Sequence, residues 1–264
     1  MNNILKASLV SSFALVITLG HAHDLYLVSG VRGAESKICA RIGEEFPESE
    51  SAVPPDRLTR FAVRSATGNR DLQGKISGKQ LCAAPPSERD FIAEMVVQPR
   101  FIKLDGKLFN QYIEGEGLNA VMRSRAQSGE TAEGRELYSR YSKIISGSAD
   151  AKTVLGHTLE IVLEKNPAEI KAGEPLPVRV LFRGKPLADV QVAAVYAGAK
   201  LAGHKYPVAT RTDSEGRAAL SLDRAGLWYV RLIHMVPAVD DPDVDWRSFF
   251  ATLTFSVPGS GNSR

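Results

Sequence analysis

From His157 to Val257 the sequence breaks into seven short runs: HTLEIVLE, LPVRVLFR, DVQVAAVY, PVATRT, RAALSL, LWYVRLIH and SFFATLTFSV. Each is rich in β-branched and aromatic residues. Each is bounded by turn-forming stretches such as NPAEIKAGEP, RGKP, TDSEG and DRAG. Seven strands of this length in about 100 residues leave few folds open, and they predict an immunoglobulin-like β-sandwich over residues 157–257. The tail PGSGNSR, residues 258–264, reads as a flexible end.

The preceding part is mixed. DLYLV, SKICARI, LTRFAVRS and FIAEMVV read as strands, separated by the loops ESESAVPPDR and CAAPPSER. Between residues 105 and 146 the period changes. Leu108, Phe109, Tyr112 and Ile113, then Leu118, Val121 and Met122, fall at helical spacing. Leu137, Tyr141, Ile144 and Ile145 form a second stripe of the same kind. The spacing predicts two amphipathic helices with a Gly-rich link, inserted in a β-rich domain over residues 23–150, with GSADAKTV as the linker to the sandwich. The fold class is mainly β: an N-terminal β-rich domain with a two-helix insertion, then a C-terminal Ig-like β-sandwich.

Residues 1–22, MNNILKASLVSSFALVITLGHA, have the anatomy of a secretory signal peptide: Lys6, an apolar run from Ala7 to Leu19, then small residues. The run is short for a membrane span. A cut after Ala22 places Gly20 and Ala22 at the two positions that need small residues, removes His21, and starts the mature chain at His23. A cut after Gly20 and an uncleaved anchor are the alternatives. No second apolar span follows, so the expected product is periplasmic, without a stable membrane span once the leader is gone. Cys39 and Cys82 fit export, because an even cysteine count in an oxidising compartment points to one disulfide. Such a crosslink is worth about 3–4 kcal/mol in the chain-entropy view. The alternative is two free buried thiols. With a net charge of +3 and basic residues scattered among acidic ones, the chain carries no nucleic-acid patch.

The histidines carry the remaining chemistry. Side chains alternate along a strand, so His157 shares a face with Leu159, Ile161 and Leu163, and His234 shares one with Trp228, Val230 and Leu232. His157 opens the first sandwich strand and His234 closes the sixth. With strands running up and down, both fall at one pole, where the linker also enters. The loop MVPAVDDPDVDW adds Met235, Asp240, Asp241, Asp243 and Asp245 there. Imidazole, thioether and carboxylate together suit a borderline transition metal. His23 at the start of the mature chain would add a chelate, with α-amine and ring nitrogen on one ion, and a second histidine would complete a three-nitrogen set. The expected metal residues are His23, His234, His157 and Asp241. The simpler readings are a packed or rim role for each strand histidine, and for the aspartates a solvated loop or a weak Ca2+ site. His204 reads as a solvent-facing loop residue.

The segments AHDLYL, FNQYIEGEGL, RELYSRYSKI, LEIVLEKNPAEIKAGEPLPVRVLFRGKPLADVQV, TDSEGRAALSLDRAGLWYVRLIHM and DWRSFFATLTFSV together resemble a secreted bacterial family of domains of unknown function, described as NikM-like periplasmic components of nickel or cobalt uptake. The resemblance covers nearly the whole mature chain. It implies an exported, two-domain, β-rich protein with an Ig-like second domain that handles a transition metal, nickel or cobalt; the three-nitrogen set itself suits copper and tolerates nickel. It matches His23 and His234 to the family's recurring "H-[DE]" and "HM" positions, and it implies a membrane metal transporter as partner. His157 rests on the pole argument alone. Histidine ligands bind as neutral imidazole, so capture would weaken below about pH 6. A metal-free Ig-like interaction module is the alternative function. The sequence shows no G-x-S-x-G elbow, H-E-x-x-H pair or cysteine-nucleophile context, and the expectation is a protein without enzymatic activity.

Overall fold

All seven runs after His157 form strands: β9 (Leu159–Leu163), β10 (Pro175–Phe182), β12 (Gln191–Tyr196), β13 (Val208–Arg211), β14 (Arg217–Ser221), β15 (Gly226–Pro237) and β16 (Trp246–Val257), with a two-residue β11 (Lys185–Pro186) between the second and third. The computed structural model describes residues 23–30, 37–171, 173–201 and 205–259. The expected leader at 1–22, the His204 position and the tail beyond residue 259 lie outside the described residues. β9 and β14 flank β10 in one layer, and β13, β12, β15 and β16 follow one another in the facing layer. Three strands, with the two-residue β11 also paired to β10, against four in this order make an immunoglobulin-like sandwich. Its core includes Leu159, Val178, Val192, Trp228, Val230, Leu253 and Phe255, all buried. The sandwich predicted from turn punctuation is present, because each strand keeps one apolar face for this core.

The earlier part supplies β1 (Asp24–Ser29), β2 (Ile38–Gly43), β3 (Leu58–Ser65), β4 (Gly68–Asp71), β5 (Lys75–Ser77), β6 (Gln80–Ala83), β7 (Phe91–Leu104) and β8 (Gly134–Ser146). β1, β2, β6 and β5 form a four-stranded sheet. β4, β3, β7 and β8 extend the sandwich's larger layer into one eight-stranded sheet, joined where β8 runs parallel to β16. The parts of the chain before and after residue 150 therefore share a sheet. One face of this sheet carries the sandwich core. The other carries β1, β2 and β6 over Phe61, Val63, Ala93 and Met95, and the two helices over Ile233, Met235, Trp246 and Phe250. The Cys39–Cys82 disulfide forms, linking β2 to β6.

The helical segment differs from its prediction. Two helices are present, α1 (Gly106–Gly115) and α2 (Asn119–Ser128), but both come from the first apolar stripe. The Asp105 carboxylate caps α1 by accepting the Leu108 N–H at 2.9 Å. Gly117, at φ +63°, turns the chain between the helices. The second stripe, Leu137 to Ile145, is strand β8 instead. β8 lies between β16 and β7 and is covered on both faces: Ile144 packs on the β1–β2–β6 side, Ile145 in the sandwich core. A strand buried on both faces loses its two-residue alternation, and its apolar residues then imitate a helical stripe.

Candidate functional site

β1 places the first site residue. Asp24 pairs with Gly43 across the β1–β2 ladder, which sets His23 against the acidic loop Glu44–Glu50. A Cβ on Gly43 would stand 2.8 Å from the Glu48 carbonyl oxygen, so only glycine lets this loop fold back so closely. His23 Nε2 lies 2.7 Å from Glu50 Oε2 and 3.9 Å from Glu44 Oε1, with the His23 and Glu50 side chains 39% and 48% exposed. The other Glu50 oxygen accepts the Glu44 backbone N–H at 2.9 Å. That bond, followed by the one to His23, holds the Glu50 carboxyl below the usual carboxylate range.

The residue beside His23 is anchored from below. Asp24 accepts the Tyr229 hydroxyl proton at 2.9 Å and forms an ion pair with Arg231 at 2.7 Å. Arg231 also donates to Glu116 at 2.6 Å, and Tyr206 donates to the same carboxylate. This buried network ties β1 to β15 and to the end of α1. An ion-paired arginine with satisfied partners holds its geometry, whereas loss of one partner leaves a costly buried charge.

The other expected metal residues do not join His23. Trp228, Val230, Leu232 and His234 face the sandwich core, while Tyr229 and Arg231 face Asp24. His234 is thus on the opposite face of the central sheet from His23. Its ring sits edge-on to Phe182 at 4.5 Å, and burial, aided by the Arg183 charge, pushes its pKa down to about 4. A guanidinium that disfavours imidazolium disfavours a metal cation at the same nitrogen for the same reason.

His157 does share the pole with His234. Leu159, two residues on, pairs with Phe182, whose ring touches His234. But His157 is buried against Tyr141, and its Nε2 is 2.7 Å from Glu94 Oε2. Burial alone would raise the Glu94 pKa; hydrogen bonds from His157 and Arg60 overcome it and lower it. Beside this pair Lys143 and Glu160 form a buried ion pair at 2.8 Å. Asp241 is engaged with Arg247 at 3.5 Å and accepts the Asp243 N–H. Among the described residues no group of three His, Cys, Asp or Glu side chains is placed to hold a metal ion. The four residues therefore do not make one shared centre. Glu44 and Glu50, which do meet His23, were visible in sequence only as an acidic run, GEEFPESES; their partner is set by strand register.

A family model for a domain of unknown function, DUF4198, matches residues 20–236. No curated protein matches the chain. Among solved structures, the D0-D1 domain of intimin aligns over 88% of this chain and 97% of its own, at 13% identity and a TM-score of 0.22.

Proposed function

Because this chain belongs to the DUF4198 family, a domain of unknown function, its role has to be argued from its own residues, and we propose that it is an exported, non-catalytic transition-metal-binding accessory protein. In this reading it captures nickel or cobalt, with copper as the competing cargo, in the periplasm and delivers it to a membrane transporter. The observation that carries the reading is the contact between His23 Nε2 and Glu50. A metal-binding histidine ordinarily gives its second ring N–H to a carboxylate, which fixes the tautomer and raises the basicity of the other nitrogen. With Nε2 bound to Glu50, Nδ1 is left as the free donor, on the side of the ring next to the residue's own backbone nitrogen. Cleavage after Ala22 would turn that nitrogen into an α-amine, and amine plus Nδ1 chelate one ion. The amine is a donor that a count of side chains leaves out. In this reading Glu50 is a positioning residue, and His234, His157 and Asp241 serve the fold.

The test is native mass spectrometry of protein exported with its own leader, with and without Ni2+, Co2+ and Cu2+. The expected result is a chain starting at His23 that retains one metal ion. His23→Ala and a Gly-Ser extension before His23 should both lose the ion, while His234→Ala keeps it. A chain that starts at His23 and holds no metal would refute the proposal and favour a metal-free interaction module. Retention of metal by the extended variant would also refute it, by showing that the α-amine is not a ligand.

A further inference from the structure

β7 and β8 are antiparallel, with Val97 opposite Arg140 and Arg100 opposite Tyr138. Three steps along β7 thus match two along β8, and Gln98–Pro99 form a bulge. Residues opposite each other on a ladder share a face, as do residues two apart on one strand. The bulge therefore turns Arg100 onto the face that carries Tyr138 and Arg140. In unbroken register Arg100 would point the other way. Arg57, closing the short 3-10 turn Pro55–Arg57, donates from Nη2 to the carbonyls of Gln98 and Pro99 at 3.0 and 3.1 Å, and so braces the bulge. Arg57, Arg100 and Arg140 line one cavity of about 60 Å3, with Val53, Val97 and Tyr138 among its other walls. Among the described residues no Asp or Glu lines it.

Arg140 sets this cavity apart from ordinary packing. Its Nε is shut off from solvent and meets no acceptor. Its guanidinium lies against the rings of Tyr138, at 4.9 Å, and Phe250, at 5.9 Å. Asp24 reaches it electrostatically but is already engaged by Arg231 and Tyr229. Burial, and the neighbouring Arg100 charge, both disfavour its cationic form. A strand irregularity has thus brought a second guanidinium beside one whose Nε already lacks an acceptor.

The geometry points to a small-oxyanion site: the Arg57–Arg100–Arg140 cavity binds a carboxylate or phosphate group of a ligand. Guanidinium groups present planar paired donors that match both oxyanions. The volume admits the anionic group and not a whole nucleotide or sugar, so the rest of the ligand lies outside. This site is independent of His23 and of any metal.

Isothermal titration of the mature chain with sodium phosphate and with sodium acetate, each against sodium chloride at equal ionic strength, tests it. One or both oxyanions should bind at one per chain. Phosphate alone would mark a phosphate-bearing ligand, and acetate alone a carboxylate. Arg100 is exposed, so Arg100→Gln leaves the core intact; it should weaken binding about tenfold or more. Arg140→Met should abolish binding, and its circular-dichroism spectrum in chloride should match that of wild type, because methionine keeps the packing against Tyr138 and Phe250. Absence of binding beyond the chloride control would overturn the proposal, as would an Arg100→Gln variant that binds as tightly as wild type.

Discussion

Glu136 offers a direct test of how this protein holds charge. It lies on β8, 2% exposed. Its Oε1 accepts the Tyr112 hydroxyl proton at 3.3 Å and that of Ser248. Burial pushes its pKa from 4.5 up to about 7, and the two hydroxyls and Arg140 only partly oppose this. Below about pH 4.5 both folded and unfolded chains hold the proton, and the group costs nothing. Between that pH and about 7 the unfolded chain releases the proton while the folded chain keeps it, so stability falls as pH rises. Above about pH 7 the folded chain carries the full penalty of a buried carboxylate. From 4.5 to about 7, at ~1.4 kcal/mol per pH unit, that penalty is about 3 kcal/mol. Glu136→Gln keeps an oxygen for Tyr112 and Ser248 but cannot ionise. Urea unfolding of both proteins, disulfide intact, at about pH 4.5 and about pH 8 should show the variant gaining up to about 3 kcal/mol on wild type over that interval. Any cost of the new amide N–H is the same at both pH values, so the change between them is the test. A difference between variant and wild type that stays constant with pH would refute the reasoning.

Two further outcomes concern the scaffold of the site. Replacing Cys39 and Cys82 together by alanine removes a crosslink over 43 residues, which should cost about 4 kcal/mol; an unchanged urea midpoint under oxidising conditions would contradict this. Gly134→Ala would place a methyl 2.3 Å from the ring of fully buried Phe109, so it should lower stability by about 1–3 kcal/mol. Thermal unfolding measures it, and a variant as stable as wild type would show that α1 can shift freely over β8.

The sandwich was legible because its strands are short, rich in β-branched and aromatic residues and bounded by turn residues, a signal that survives even in β15 and β16, which are covered on both faces. β8 was not legible, because it separates two cores and its Ile144 and Ile145 face opposite ways. β4, β5 and β6 were missed as well. Every residue of β4 and β5 is exposed, and none of the three strands exceeds four residues, too short for a period to show. The placement of His157 and His234 at one pole followed correctly from strand counting. Their partners did not: Glu94, which binds His157, comes from a strand 63 residues away. His23 was singled out for its place after the expected leader, but Glu50 could be paired with it only once the Asp24–Gly43 register was known.

That register also bears on what a chelating terminus needs. A free N-terminal residue normally loses its mobility on binding a metal, and the lost entropy weakens the complex. Here the residue immediately after His23 is fixed by the fold itself: Asp24 is buried, paired with Arg231 and bound by Tyr229. The ring of His23 is held from the other end by Glu50. The backbone beside the proposed chelate and the orientation of the His23 imidazole are thus both set by the fold, so part of the ordering cost would be met in folding. Arg231→Lys, which keeps the charge but loses the guanidinium fork shared between Asp24 and Glu116, would loosen the anchor without touching a proposed ligand. Its effect on metal retention separates a terminus that chelates by itself from one that the sheet has positioned to do so.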